Sequence, residues 1–530
     1  MSKLPGRARR GGFVTTPHDA SRSLTQLARA SRRRKPWLTP HFGYALPLAP
    51  RLAAPSPAAW NNPVISVEKI GGTSMSSFAD VLANIMLRNP ERIYGRVYVV
   101  SAYAGVTNSL LEHKKTGEPG VYARFADGGD YAAALAVTTA RLQEINAGLV
   151  PLGLDRARAD GFLDKRMREL RAYLDSMRHV LASGYLRRGD VLLAAREMLA
   201  AVGEAHSAFN SVEILRQRGV PAHLMDLSGF DDDDPLTIDQ RIHKSFQGVE
   251  LERQVVVVTG YTKGIEGIMR EFDRGYSEVT FSKIAVELGA DEAVIHKEFH
   301  LSSADPKLVG TSNAVVVGRT NYDVADQLAD VGMEAIHPKA SKPMELAGIA
   351  IRLKNTFEPD HPGTLITKDY VGSQARIEVI AGSAQVTAIE IHDPLMVGAV
   401  GFDHGVMEIF RKHEISYILK ATNANSITHV VWERSVTEGF LGELRAHYSV
   451  VSAVPSAMVC VIGTNIAFPG VLARATSALA ENGININAVS QSLRQTNMQF
   501  VIERQDYARA VVALNTALCL HPPQPIEPKA

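Results

Sequence analysis

At 530 residues the chain is too long for one hydrophobic core, and about two to four domains are expected. Apolar residues at 45% and charged residues at 21% are ordinary for a soluble globular protein, and no apolar run approaches the ~20 residues that span a bilayer. The two cysteines, Cys460 and Cys519, lie far apart without C-x-x-C spacing, so no disulfide framework or zinc site is expected, and a reducing, cytoplasmic compartment fits.

The net charge of +1 hides an asymmetry, because residues 1–60 carry eleven Lys and Arg against one acid, Asp19. This Pro-, Ala- and Ser-rich leader has no helical or strand period and reads as a disordered basic tail, set apart from the fold. From Pro63 the pattern changes. "PVISVEKI" (63–70) reads as a buried strand, followed by Gly71-Gly72-Thr73-Ser74 and a helix carrying Phe78, Val81, Leu82, Ile85 and Met86 on one face. "RVYVVSA" (96–102) reads as a second strand, and residues 131–218 as largely helical. "QVVVVTGY" (254–261) reads as a third strand, with "EAVIHKEF" (292–299) and "AVVVGR" (314–319) as further candidates and "YDVADQLADVGM" (322–333) as a helix closed near Gly332. "DDDD" (231–234) reads as a solvated turn before Pro235, and His337 as a satisfied strand-end histidine. Short apolar runs alternating with amphipathic helices predict a layered, mostly parallel α/β domain ending near "EPDHPGTLI" (358–366). The remainder repeats a strand, loop, helix, strand, strand pattern twice, with Gly401 or Gly405 and then Gly470 at the strand-to-helix turns.

The most informative stretch is "VEKIGGTSM" (67–75). A lysine at a strand end can reach over a phosphate held by the amides of the following Gly-Gly-Thr-Ser turn, and there it would neutralise charge on a transferred phosphoryl group. With "KIGGTS" and "VVVSAYAGVTN" the chain resembles the amino-acid kinase family and, more narrowly, the aspartate kinases. "GEAHSAFN", "FDRGYSEVT", "SSADPKLV", "GMEAIHPKA" and "LKNTFEPDHPGTLI" follow in that family's order, and the wording is most similar to the branch associated with ectoine synthesis.

The resemblance implies a kinase domain over residues 61–370 and two α+β ACT domains, ferredoxin-like units, over 376–445 and 446–530, with the second open to being intertwined with the first. It implies that Lys69, Gly72 and Arg274 are catalytic. Gly71, Gly72, Thr73, Ser74 and Ser101 would join Lys69 in binding ATP, with Lys297, Asp305, Lys307 and Glu334 on the nucleotide side. Glu204 and Arg274 would grip the ammonium and one carboxylate of an amino diacid, with Thr107, Ser277 and Glu278 beside them. Lys297 and Glu334 stand where the family has an acid and a lysine, which suggests an inverted pair facing across the nucleotide. The implied reaction uses ATP, Mg²⁺ and L-aspartate, with no protein metal ligand named. The tail implies an amino-acid effector near "NIAFPGVLA" (465–473) and a dimer through the ACT domains, with neither nucleic acid nor membrane as partner. A kinase for another carboxylate, such as glutamate, and a catalytically dead amino-acid sensor remain as alternatives.

Overall fold

Parallel strands buried on both faces need unbroken apolar runs, and those runs form the centre of the molecule. The computed structural model describes residues 64–521 except Lys115, Asp273, Arg274, Glu334 and Ala375. The basic leader, Arg274, Glu334 and the expected Lys297–Glu334 pair therefore lie outside the described residues.

The first sheet is built from β1 (Ser66–Ile70), β2 (Arg96–Val100), β3 (Ala222–Met225), β4 (Val255–Thr259), β5 (Glu292–Lys297), β6 (Arg319–Asn321), β7 (Ala350–Asn355) and β8 (Thr364–Thr367). Their order is β3-β4-β2-β1-β5-β7-β8-β6, and every pairing is parallel except β7 with β8. From β1 the chain moves to β2 on one side, whereas β5 lies on the other. In open α/β sheets such a reversal leaves a crevice at the carboxyl ends of the strands. Lys69 and Ile70 end β1 there, beside Val100 and His296 in register.

Three helices, Tyr131–Leu149, Arg156–Ser183 and Arg188–Gln217, fill the predicted helical stretch, the first two capped by Asp130 and Asp155. The strand readings change in several places. β3, β7 and β8 were not expected, the first because "AHLM" is short and mixed in polarity. "AVVVGR" becomes strand only at its last residue, where β6 begins at Arg319; before that it lies against residues 301–303, through Val317 N to Leu301 O (2.9 Å) and Ser303 N to Val315 O (2.7 Å), and Gly318 O accepts from Leu365 N of β8 (3.0 Å). The acidic run 231–234 is held by cations, with Asp231 on Lys165 (2.8 Å), Asp232 on Arg241 (2.5 Å) and Asp234 paired to Lys244. His337 caps the helix Pro338–Ala347 by accepting from the Lys339 amide. No helix among the described residues is long and apolar enough to cross a membrane.

The tail is one six-stranded antiparallel sheet, comprising β9 (Val379–His392), β10 (Leu419–Thr422), β11 (Ser426–Trp432), β12 (Val450–Ile462), β13 (Ala488–Gln491) and β14 (Asn497–Glu503). The order is β10-β11-β9-β12-β14-β13. β9 and β12 pair along their length, with an irregularity between Ser456 and Met458. On one side of it, the later half of β9 and the earlier half of β12 join β10, β11 and the helices Phe402–Lys412 and Glu438–His447 around Ile389, Ile391, Phe410, Phe440 and Leu444. On the other, the remaining halves join β13, β14 and the helices Val471–Glu481 and Tyr507–Leu514 around Val459, Val461, Leu479, Phe500 and Val511. Both long strands thus serve both units, and the division expected between residues 445 and 446 falls within the helix Glu438–His447.

Where the long strands cross, a side chain on Gly382 would begin 2.1 Å from the Met458 carbonyl oxygen. Gly382→Ala should therefore lower stability by about 1–3 kcal/mol through overpacking, read as a lower midpoint in chemical denaturation.

Candidate active site

The lysine-first loop is shaped by close backbone contacts. Gly71 N donates to His296 O (3.3 Å), and Ser101 N donates to Ile70 O (3.1 Å), so the ends of β1, β2 and β5 are tied together. Gly72 opens a five-residue helix, and a side chain there would start 2.6 Å from Ala102 O, which glycine alone avoids. Thr73 is exposed, whereas Ser74 is buried and its Oγ accepts from Thr356 Oγ1 (3.0 Å), tying the turn to the end of β7. The second loop is fixed from both sides. Gly105 takes a left-handed φ of 77°, Ala104 N donates to Ser76 Oγ (2.8 Å), and Thr107 lies in the short helix Val106–Leu110. Tyr103 meets His206 edge-on at 5.6 Å, above a buried network in which His206 and Asn210 both hydrogen-bond Asn146.

Lys69 is 8% exposed, and its Nζ lies 3.4 Å from Glu278 Oε1 on the first turn of the helix Tyr276–Glu287. The other oxygen of Glu278 accepts from the His337 amide at 2.8 Å. Burial pushes the Glu278 carboxyl up, but Lys69, Lys297 and the His337 amide outweigh it and hold the group below its ordinary range. Glu278, expected to touch substrate, thus stands between two lysines, Lys69 at the end of β1 and Lys297 at the end of β5.

Beside this pair is an acid of opposite behaviour. Glu204, on the helix Arg188–Gln217, is 3% exposed, and its Oε2 has no hydrogen-bond partner. Burial pushes its carboxyl well above the usual range, against hydrogen bonds from Tyr276 and the Ala102 amide and the charge of Lys69. A buried acceptor left unsatisfied is costly unless something arrives to fill it, and an ammonium group would do so. Ser207 Oγ donates to Ser101 O (2.9 Å), and Ser101 Oγ lies 3.3 Å from Ser277 Oγ.

Lys69, Ser101, Glu204, Ser277 and Glu278 therefore form one connected group. Asp305 and Lys307 do not join it. They line a cavity of about 940 Å³ that also includes Glu298, Ser302, Met333 and Asn355. Asp305 caps the amide of Lys307 there (2.9 Å). The cavity reaches toward the glycine turn, since a side chain on Gly71 would lie 3.8 Å from Glu298 Oε1. Its far wall comes from the tail, through Ile380, Ala381, Gly382, Tyr507 and Val511.

Three contributors escaped the sequence reading. A side chain on Gly260 would strike Ser277 Cβ and Val100 O at 2.7 Å, so this glycine lets the helix Tyr276–Glu287 approach β2; its signal was the glycine closing "VVVVTG". Tyr276 binds Glu204 from the tyrosine of "RGYSE". Glu197 holds the segment leading to that motif, accepting from Met269 N (2.6 Å) and Tyr261 OH (2.5 Å), and nothing in its local sequence signalled this.

A strand-end lysine beside a glycine turn, a nucleotide-sized cavity and a buried acid that lacks a cation together describe a small-molecule kinase. Residues 65–355 match the amino acid kinase family and residues 459–518 the ACT domain, and the chain belongs to the amino acid kinase family. Within that family it groups with the aspartate kinases. It is 46% identical over 461 residues to aspartate kinase Ask_Ect of Stutzerimonas stutzeri, covering 86% of this chain and 97% of that protein. It is 25% identical over 476 residues to the chloroplastic aspartokinase 1 of Arabidopsis thaliana, covering 85% and 80%. The fold matches E. coli aspartokinase III, solved with aspartate and ADP, with a TM-score of 0.66 at 20% identity over 86% of this chain and all of that one.

Glu204→Gln separates binding from stability. Because the folded protein raises this carboxyl's pKa, its favourable contribution is complete below the ordinary value of 4.5 and is lost as pH rises through the raised value. The glutamine variant should match the parent's melting temperature near pH 4 and exceed it near pH 7, while its KM for the amino-acid substrate rises roughly tenfold or more through loss of a charge-assisted bond. Thermal melts at both pH values and steady-state kinetics check this.

Proposed function

We propose that the chain is an aspartate kinase, transferring the γ-phosphoryl group of ATP to the β-carboxylate of L-aspartate to give 4-phospho-L-aspartate and ADP. The observation that carries this reading is the pairing of a buried lysine at the glycine turn with a buried, unsatisfied glutamate on the neighbouring helix. The first suits a phosphoryl group and the second an amino acid's ammonium.

The substrate carboxylate is ionised at neutral pH, so it attacks phosphorus without an enzyme base. A new carboxylate O–P bond forms as the bond to ADP breaks, and no protein nucleophile intervenes. Lys69 neutralises charge on the transferring group while Glu278 keeps its ammonium aimed. Arg274 is read as the guanidinium that fixes the second carboxylate, with Thr107 and Ser277 beside it. Gly71, Gly72, Thr73, Ser74, Ser101, Lys297, Asp305, Lys307 and Glu334 complete the nucleotide side of this reading. Mg²⁺ belongs to it as well. The ion would be carried mainly by phosphate oxygens and water, which Mg²⁺ tends to keep. When bound, it supplies further neutralisation of the phosphates.

The tail is read as regulatory and dimer-forming. A cavity of about 340 Å³ over the loop 465–473, lined by Phe468, Gly470, Gln491, Gln495 and Met498, supports an amino-acid effector there. Its influence would pass to the nucleotide cavity through Ile380 N, which donates to Ser303 O (2.6 Å), and Ser303 Oγ, which donates to Asn515 (2.8 Å). The similarity to Ask_Ect supports a place at the start of ectoine synthesis, in the cytoplasm.

An ATP-dependent hydroxamate assay across aspartate, glutamate and acetylglutamate tests the assignment. Aspartate should be strongly preferred, and Lys69→Ala should retain its circular dichroism while losing about 10²–10³ in kcat. Preference for another acid, or near-normal turnover in that variant, would overturn the reading.

A further inference from the structure

Side chains alternate along a strand, so Glu68 and Lys69 point to opposite faces of the sheet. The face opposite Lys69 carries its own polar cavity, of about 420 Å³, between β1, β2, β5 and β7 and the segment 84–94. Five basic side chains line it, Arg88, Arg92, Arg96, Arg352 and Lys354, against two carboxylates, Glu68 and Glu292.

Those carboxylates are already engaged. Glu68 is gripped by Arg96 through Nε (2.6 Å) and Nη2 (2.9 Å) and by His296 Nε2 (2.8 Å). Glu292 pairs with Arg352 at 2.7 Å. Arg88 meets Asp360, whose side chain is 95% exposed, and an ion pair so open to water contributes little. Among the described residues neither Arg92 nor Lys354 has a carboxylate within ion-pair distance. Lys354 is half-buried and donates only to the Pro359 carbonyl (3.2 Å). Burial, followed by the positive charges of Arg88 and Arg352, pushes its ammonium below the usual lysine range.

Like charges gathered in a recess repel one another and lose hydration, so the fold maintains this arrangement at a cost. The missing element is compact negative charge. A phosphate group concentrates nearly two charges and three acceptor oxygens in a small volume, and guanidinium forks match those oxygens in pairs. We propose that this cavity is a binding site for a phosphate-class oxyanion, held by Arg92 and Lys354 with Arg88 and Arg352 beside them, on the sheet face opposite the active site. Phosphoryl transfer plays no part in this assignment, which stands or falls apart from the kinase reading.

The test is calorimetric titration of the full chain with inorganic pyrophosphate and, separately, with glycerol 3-phosphate. Binding of both identifies the phosphoryl group as the recognised feature; binding of pyrophosphate alone identifies free inorganic anions. In either case Arg92→Gln/Lys354→Gln should weaken binding at least tenfold, while Lys69→Ala retains it. Arg92→Gln alone, at an exposed position, should weaken it at least threefold without altering circular dichroism. Absence of binding to the parent chain, or binding lost in Lys69→Ala and unchanged in the Arg92 variants, would overturn the proposal.

Discussion

Lys69 brings a positive charge into a nearly buried position, and Glu278 makes that tolerable. An isolated buried ammonium would shed its proton or remain solvated, and either outcome would waste the glycine turn beside it. The carboxylate is itself held by the His337 amide, four residues beyond Met333 in the cavity wall. One ion pair therefore connects the end of β1, the helix Tyr276–Glu287 and the start of the helix Pro338–Ala347. Glu204 lies one step further in and is treated in the opposite way, with its charge suppressed until a cation can enter. The same low dielectric strengthens the first arrangement and penalises the second.

The polar cavity on the other face of the sheet follows the same rule with the sign reversed. There the carboxylates are saturated and the cations are in excess. A single strand, β1, thus separates two charge environments, because its alternating side chains place Glu68 among arginines and Lys69 beside a carboxylate. Register alone keeps them apart, since a slip of one residue would exchange the two faces.

Much of this was readable from the chain. The turn "KIGGTS" carries its own chemistry, and continuous apolar runs such as "QVVVVTGY" announce strands covered on both faces. Glu204 and Ser277 were singled out through motifs, and the structure places Glu204 within reach of the charge of Lys69 and Ser277 beside Ser101. The part of Glu278 as the lysine's partner was not readable, since 209 residues separate them and no local pattern records which side chain faces which. Gly260 is of the same kind, needed because a helix nearly 20 residues downstream passes too close for a side chain. "AVVVGR" misled because apolar extended segments look alike whether they join a sheet or lie against a short loop. The two units of the tail were legible from their repeated pattern. That the second could be intertwined with the first was within the expectation, but which half-strands are exchanged was not legible, because it depends on the long-range pairing of β9 with β12.

That exchange bears on how the tail forms and how it can change. β9 leads the first unit in sequence but supplies an edge to the second, and β12 does the reverse, so neither unit is complete until strands some 70 residues apart have met. Loop closure of that kind slows assembly and makes it cooperative, so the two halves should gain and lose structure together. It also limits inheritance. Either module excised at its apparent boundary would carry an unpaired strand edge, an invitation to aggregation. A lineage holding this architecture can vary the loops of each unit freely, but it keeps or loses the pair as a whole.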